Sequence, residues 1–157
     1  VFLLGPGSAK GAPPDQTNLD VRKQIAEIRR KEGHTAIIME EERDIQGEAL
    51  PQKFDRLLHQ DITDIVVYWP PRAETTSTVV ELIMLAERVA VLKKKQVSLV
   101  LVHHVSALSI QGGEFKILEE GSRTAYLNAV LQLAPRCWPW EGQDELFDAI
   151  RKISAEF

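Results

Sequence analysis

A single cysteine, Cys137, stands in a chain of 157 residues. One cysteine closes no internal disulfide, so a hydrophobic core must hold the fold, and the usage fits a reducing compartment. Positive charge is not in excess: the net charge is -4 and the pI is about 5.6. A nucleic-acid-binding face needs the opposite balance, so direct nucleic-acid binding is not expected. No apolar run approaches the roughly 20 residues that a membrane helix requires. The opening Val1-Phe2-Leu3-Leu4-Gly5 is too short for a signal peptide, lacks its basic flank, and reads as a strand. These absences give the expectation of a cytoplasmic protein with no membrane contact. Internal repeats and interdomain linkers are also missing, so residues 1–157 read as one domain. Apolar residues make up 44% and charged residues 27%, the balance of a globular protein with one continuous core.

Short apolar runs alternate with helical patterns along the chain. Val1 to Leu4, Thr35 to Met39, Ile65 to Trp69 and Val97 to Val102 read as strands buried on both faces. A short fifth strand is expected within Cys137 to Trp140. A first helix starts at Asn18 or Asp20 and runs to Glu32. Its inward stripe is Val21, Ile25 and Ile28, its basic residues lie around that stripe, and Gly33 is its C-cap. A second helix starts near Pro51 and carries Phe54, Leu57, Leu58 and Ile62. A long third helix spans Thr78 to Leu92, Thr124 to Leu133 looks helical, and Glu145 to Ile153 closes the chain. Residues 103–120 are ambiguous. The alternation predicts a flavodoxin-like or Rossmann-like three-layer α/β sandwich on a five-stranded, mostly parallel sheet. In such sheets ligands bind outside the carboxyl ends of the strands.

Several familiar motifs are absent. Gly5-Pro6-Gly7-Ser8-Ala9-Lys10-Gly11 has neither the Walker spacing nor the dinucleotide fingerprint. Gly5 and Gly7 suit either a ligand approaching the backbone or a flexible turn. His103 and His104 are adjacent on a strand and point to opposite faces, so they make poor joint metal ligands. Cys137 reads as a small buried apolar residue. The acidic Glu40-Glu41-Glu42 reads as a solvated loop. No residue set calls for a metal or a cofactor.

Glu81 is the most informative position, because a carboxylate lies in a helix that is apolar almost all round. In the first turn of a helix that follows the third strand, it would face the ligand crevice. There the helix N-terminus would keep it ionised, and it could attack an anomeric carbon. Thr78-Val79-Val80-Glu81 is equally a capping box, in which Glu81 only returns a hydrogen bond to the helix start.

Four features in order resemble the nucleoside 2-deoxyribosyltransferase-like family over roughly the first two thirds of the chain. They are Phe2-Leu3-Leu4-Gly5-Pro6, Asp20-Val21-Arg22, the acidic segment Glu40 to Asp44, and Asp64-Ile65-Val66-Val67-Tyr68-Trp69 followed by a polar loop and the Glu81 helix. The resemblance implies that Glu81 is the nucleophile and Asp55 an active-site aspartate. It also implies that Gly5, Pro6, Gly7, Arg22, Trp69 and Ser77 contact a nucleoside or nucleotide, with a homo-oligomer as a further expectation. Arg22 and Asp55 also have plain readings as solvated helix residues. Just before the glutamate, where the family usually carries an acid and a glycine, the chain reads Glu74-Thr75-Thr76-Ser77, a departure that favours hydrolysis or binding over sugar transfer. The function so implied is cleavage of an N-glycosidic bond. A Toll/interleukin-1 receptor-like NAD hydrolase and a non-catalytic nucleotide-sensing or assembly module are the alternatives.

Overall fold

The computed structural model describes residues 1–6, 16–71, 76–106, 108–111, 114–117 and 136–155. Five strands form one sheet: β1 (Phe2–Leu4), β2 (Ile37–Ile38), β3 (Asp64–Trp69), β4 (Ser98–His104) and β7 (Arg136–Trp140). Their order is β2-β1-β3-β4-β7 and every pairing is parallel. This is a flavodoxin-like three-layer α/β architecture. The central strands are mostly apolar because both faces are covered, and all six residues of β3, Asp64 included, are buried.

Alternation along each strand sends side chains into two cores. On one face Phe2, Leu4, Ile65, Val67, Trp69, Leu99 and Leu101 meet α2 (Leu50–Leu58), α3 (Thr76–Glu87) and α4 (Val89–Lys94). On the other, Leu3, Val66, Tyr68, Val100 and Val102 meet α1 (Gln16–Lys31) and the closing helix α5 (Gln143–Ala155). In α5, Leu146, Ile150 and Ile153 face inward as expected. Helix α2 carries Pro51 in its first turn, and its Gln52 Oε1 accepts from the Ala49 N–H at 2.8 Å. Helix α1 ends in a two-bond Schellman arrangement: Gly33 N–H donates to Arg30 O at 3.0 Å and His34 N–H to Arg29 O at 3.0 Å. Gly33 has φ +89°, which glycine adopts without steric cost.

The elements differ from the sequence reading at several places: α2 ends at Leu58, so Ile62 falls after it, and the second strand is only Ile37–Ile38. Residues 78–92 are not one helix, because α3 ends before Arg88 and α4 begins after it. The Arg88 N–H turns back to Leu85 O at 3.0 Å, and its Nη1 donates to Met84 O at 2.9 Å. Arg88 thus satisfies carbonyls at the end of α3 instead of continuing the helix. Within the ambiguous stretch, β5 (Leu108–Gln111) and β6 (Glu114–Ile117) pair antiparallel as a separate two-stranded sheet. Two basic residues expected around the apolar stripe of α1, Arg22 and Arg29, are fully buried with it. The helix expected from Thr124 to Leu133 lies outside the described residues.

Candidate functional site

The chain leaves β1 for β2 on one side and returns across it to β3 on the other, so the strand order reverses beside β1. That reversal is where open parallel sheets hold ligands. Gly5 follows β1, Glu40 follows β2, and Glu81 lies on the helix that follows β3. Arg22 reaches the same place from α1.

Glu81 is 3% exposed, and its Oε2 accepts a hydrogen bond from the Gly5 N–H at 2.9 Å. The carboxyl therefore ties α3 to the end of β1. This replaces the expected capping box: α3 begins at Thr76, so Glu81 lies beyond the first turn and its partner is on another element. Electrostatics also reverse the expectation that Glu81 is held ionised. Burial raises its pKa to about 8, against the lowering effects of Arg22 and of the Gly5 hydrogen bond, with Glu40 raising it further. At neutral pH the carboxyl is mostly protonated.

Arg22 is the second component. Its Nη2 donates to Pro6 O at 2.9 Å and to Glu40 Oε1 at 2.6 Å, and its Nη1 donates to Glu40 Oε2 at 3.0 Å. The pairing with Glu40 is a two-pronged guanidinium–carboxylate bridge, the geometry in which arginine holds a carboxylate best. It explains how a cation can lie buried on α1. Gly5 makes the passage possible. A Cβ there would stand 2.9 Å from Arg22 Cδ and 3.1 Å from Tyr68 O, closer than packed atoms tolerate.

Of the residues expected in the site, the structure brings together Glu81, Gly5, Pro6 and Arg22. Trp69 is 1% exposed and packed in the core against the α2 and α3 side, so its ring is a core element and not a surface offered to a ligand. Asp55 is not brought to the cluster. It accepts from Arg88 Nε, and from Arg88 Nη2 at 2.9 Å. Arg88 lies past the far end of α3, seven positions beyond Glu81 and so roughly 10 Å along the helix axis. Asp55's low pKa follows from the Arg88 hydrogen bond. Gly7 lies outside the described residues, as do residues 8–15 and 72–75; Ser77 lies in α3, with its side chain outside them too.

Glu40 is the member that sequence reasoning left as solvated loop. The signal was its place directly after the second strand, level with Gly5. Its neighbours are paired as well: Lys23 and Arg30 with Glu41, and Lys53 with Asp44. His103 and His104 do separate: His103 is buried, whereas His104 packs edge-on against Trp140, with ring centroids 4.7 Å apart. Cys137 is half-buried and its thiol is pushed up to about 11 by burial, which keeps it protonated at neutral pH. Among the described residues no group of three His, Cys, Asp or Glu side chains is placed to hold a metal, and no helix is long and apolar enough to cross a membrane.

No protein-family model, curated protein or solved structure matches the chain.

Proposed function

We propose that this chain cleaves the N-glycosidic bond of a nucleoside or nucleotide, with Glu81 as the attacking carboxylate. The observation that supports it best is the Gly5–Glu81 hydrogen bond, which sets a buried carboxyl at the switch point between β1 and β3. In the proposed reaction Glu81 first loses its proton to solvent. An oxygen of the carboxylate then bonds to C1′ as the C1′–N bond breaks and its electron pair leaves with the base, which takes up a proton. Water hydrolyses the glycosyl ester, releasing the sugar with retained configuration and regenerating Glu81. Arg22, fixed by Glu40 and Pro6 O, favours the charged form of Glu81 that this chemistry needs. Asp55 has no part in this version of the mechanism.

A second reading is a binding module without catalysis. The protonated state of Glu81 favours it, because a neutral carboxyl bonded to a backbone N–H works well as a tie between α3 and β1.

The test is incubation with a panel of nucleosides, nucleotides and NAD, followed by chromatography for free base. Release of base supports the glycosidic reading, and the substrate that yields it separates nucleoside from NAD chemistry. A ligand-induced rise in melting temperature without release favours the binding module. Where cleavage occurs, kcat/KM should rise with pH, reach half its limiting value near pH 8 and level off above it, as Glu81 in the free protein ionises. A profile that falls over that range counts against Glu81 as nucleophile.

A further inference from the structure

We propose that Glu40 is a positioning residue that holds the guanidinium of Arg22 and offsets its charge beside the Glu81 carboxyl. This goes beyond the glycosidic reading, because it concerns the resting state of the site and applies whatever the ligand.

The geometry carries the argument. The stem of Arg22 passes over Gly5 so closely that a Cβ would stand 2.9 Å from Arg22 Cδ. Gly5 is the residue whose N–H binds Glu81. A fully buried cation therefore lies beside a buried carboxyl, an arrangement that ordinarily ionises the acid. Both oxygens of Glu40 instead take up that cation, at 2.6 and 3.0 Å. The charge next to Glu81 is partly offset, and the negative charge of Glu40 opposes a second one on Glu81. Among the described residues the charged groups acting on Glu81 are these two, Arg22 from α1 and Glu40 from the turn after β2; β1 contributes only the Gly5 amide. Burial then dominates, and the acid stays protonated at neutral pH.

The three side chains differ in access. Arg22 is 0% and Glu81 3% exposed, whereas the side chain of Glu40 is 27% exposed. Glu40 is the member that solvent or a ligand reaches first. A ligand that draws it away from Arg22 leaves the positive charge of Arg22 without its counter-charge and favours the ionised form of Glu81. The site would then gain its reactive carboxylate on binding and hold a neutral acid at rest.

The experiment is an NMR titration of the Glu81 carboxyl carbon, with the Gly5 amide nitrogen as a second reporter, in the unliganded protein and in Glu40→Gln. Glutamine can still accept from Arg22 but carries no charge. The midpoint of Glu81 should fall by about 1 pH unit or more in the variant. Glu41→Gln makes the same change in net charge one residue away, on a side chain paired with Lys23 and Arg30. It should leave the midpoint in place. Thermal melts establish that each variant is folded, and Glu40→Ala serves as a second variant with the same expected shift. An unchanged midpoint in folded Glu40→Gln or Glu40→Ala overturns the proposal, as does an equal shift in Glu41→Gln. The titration needs no turnover, so a protein that releases no base would sink the glycosidic reading and leave this result standing.

Discussion

At Glu81 a single proton links the site to the stability of the fold. An acid whose pKa is raised by folding binds its proton more tightly in the folded state. Its contribution is complete below the ordinary value of 4.5 and is lost as pH rises through the folded value of about 8. Wild-type stability should therefore decline across that window through this residue, by on the order of 5 kcal/mol. Glu81→Gln removes the titrating group and should gain on the wild type as pH rises. Denaturant melts of both proteins from pH 4.5 to 8.5 check this; parallel curves would show that Glu81 ionises as easily folded as unfolded. Of the site's residues, Glu81 was legible because a carboxylate inside an apolar helix is costly without a purpose. Arg22 was not. On a helix with five basic residues after Asp20, nothing local distinguishes the one that will be buried. Its partner Glu40 comes from another element, and the passage over Gly5 exists only once β1 and α1 are packed.

Two of the ion pairs that join elements differ in character and lie one on each face of the sheet. Arg88 binds Asp55 across α2 and α3 with Arg88 15% and Asp55 47% exposed, and its guanidinium also lies 5.4 Å from the Phe54 ring centroid. Arg29 of α1 is buried near Asp64 of β3, Nη2 to Oδ2 3.6 Å, and donates to Ser154 of α5. Burial lowers the pKa of Arg29 while Asp64 supports its charge. Removing the acid should therefore have unequal consequences. Asp55→Asn should cost about 1 kcal/mol or less, as exposed pairs do, and should leave any base release within a few-fold of wild type. Asp64→Asn strands a buried guanidinium and should cost roughly 3 kcal/mol or more. Urea melts compare the two directly, and an Asp55→Asn protein that is stable but inactive would return Asp55 to the site. The break at Arg88 was hidden because apolar periodicity continues through it; the cause is a side chain folding back on carbonyls. The β5–β6 hairpin, by contrast, left a readable signal: Gly112 and Gly113 separate two alternating segments in the sequence.

Across the whole molecule, function is proposed where topology concentrates strand ends. Four chain segments converge beside β1, and the strand order β2-β1-β3-β4-β7 is what brings them there. The strands were readable because burial on both faces makes them unbroken apolar runs. The convergence was readable only as a rule about where ligands bind, with no indication of which polar groups would meet. The most direct measurement is base release by Glu81→Gln, made on the same preparation as its thermal melt and with a substrate the wild type has been found to cleave. Glutamine is nearly isosteric and can still accept from the Gly5 N–H, but it forms no ester with C1′. Loss of a covalent nucleophile should lower the rate on the order of a thousandfold or more, with the melt retained or raised. Base release at the wild-type rate from a folded Glu81→Gln protein would contradict the account and leave Glu81 as a structural tie.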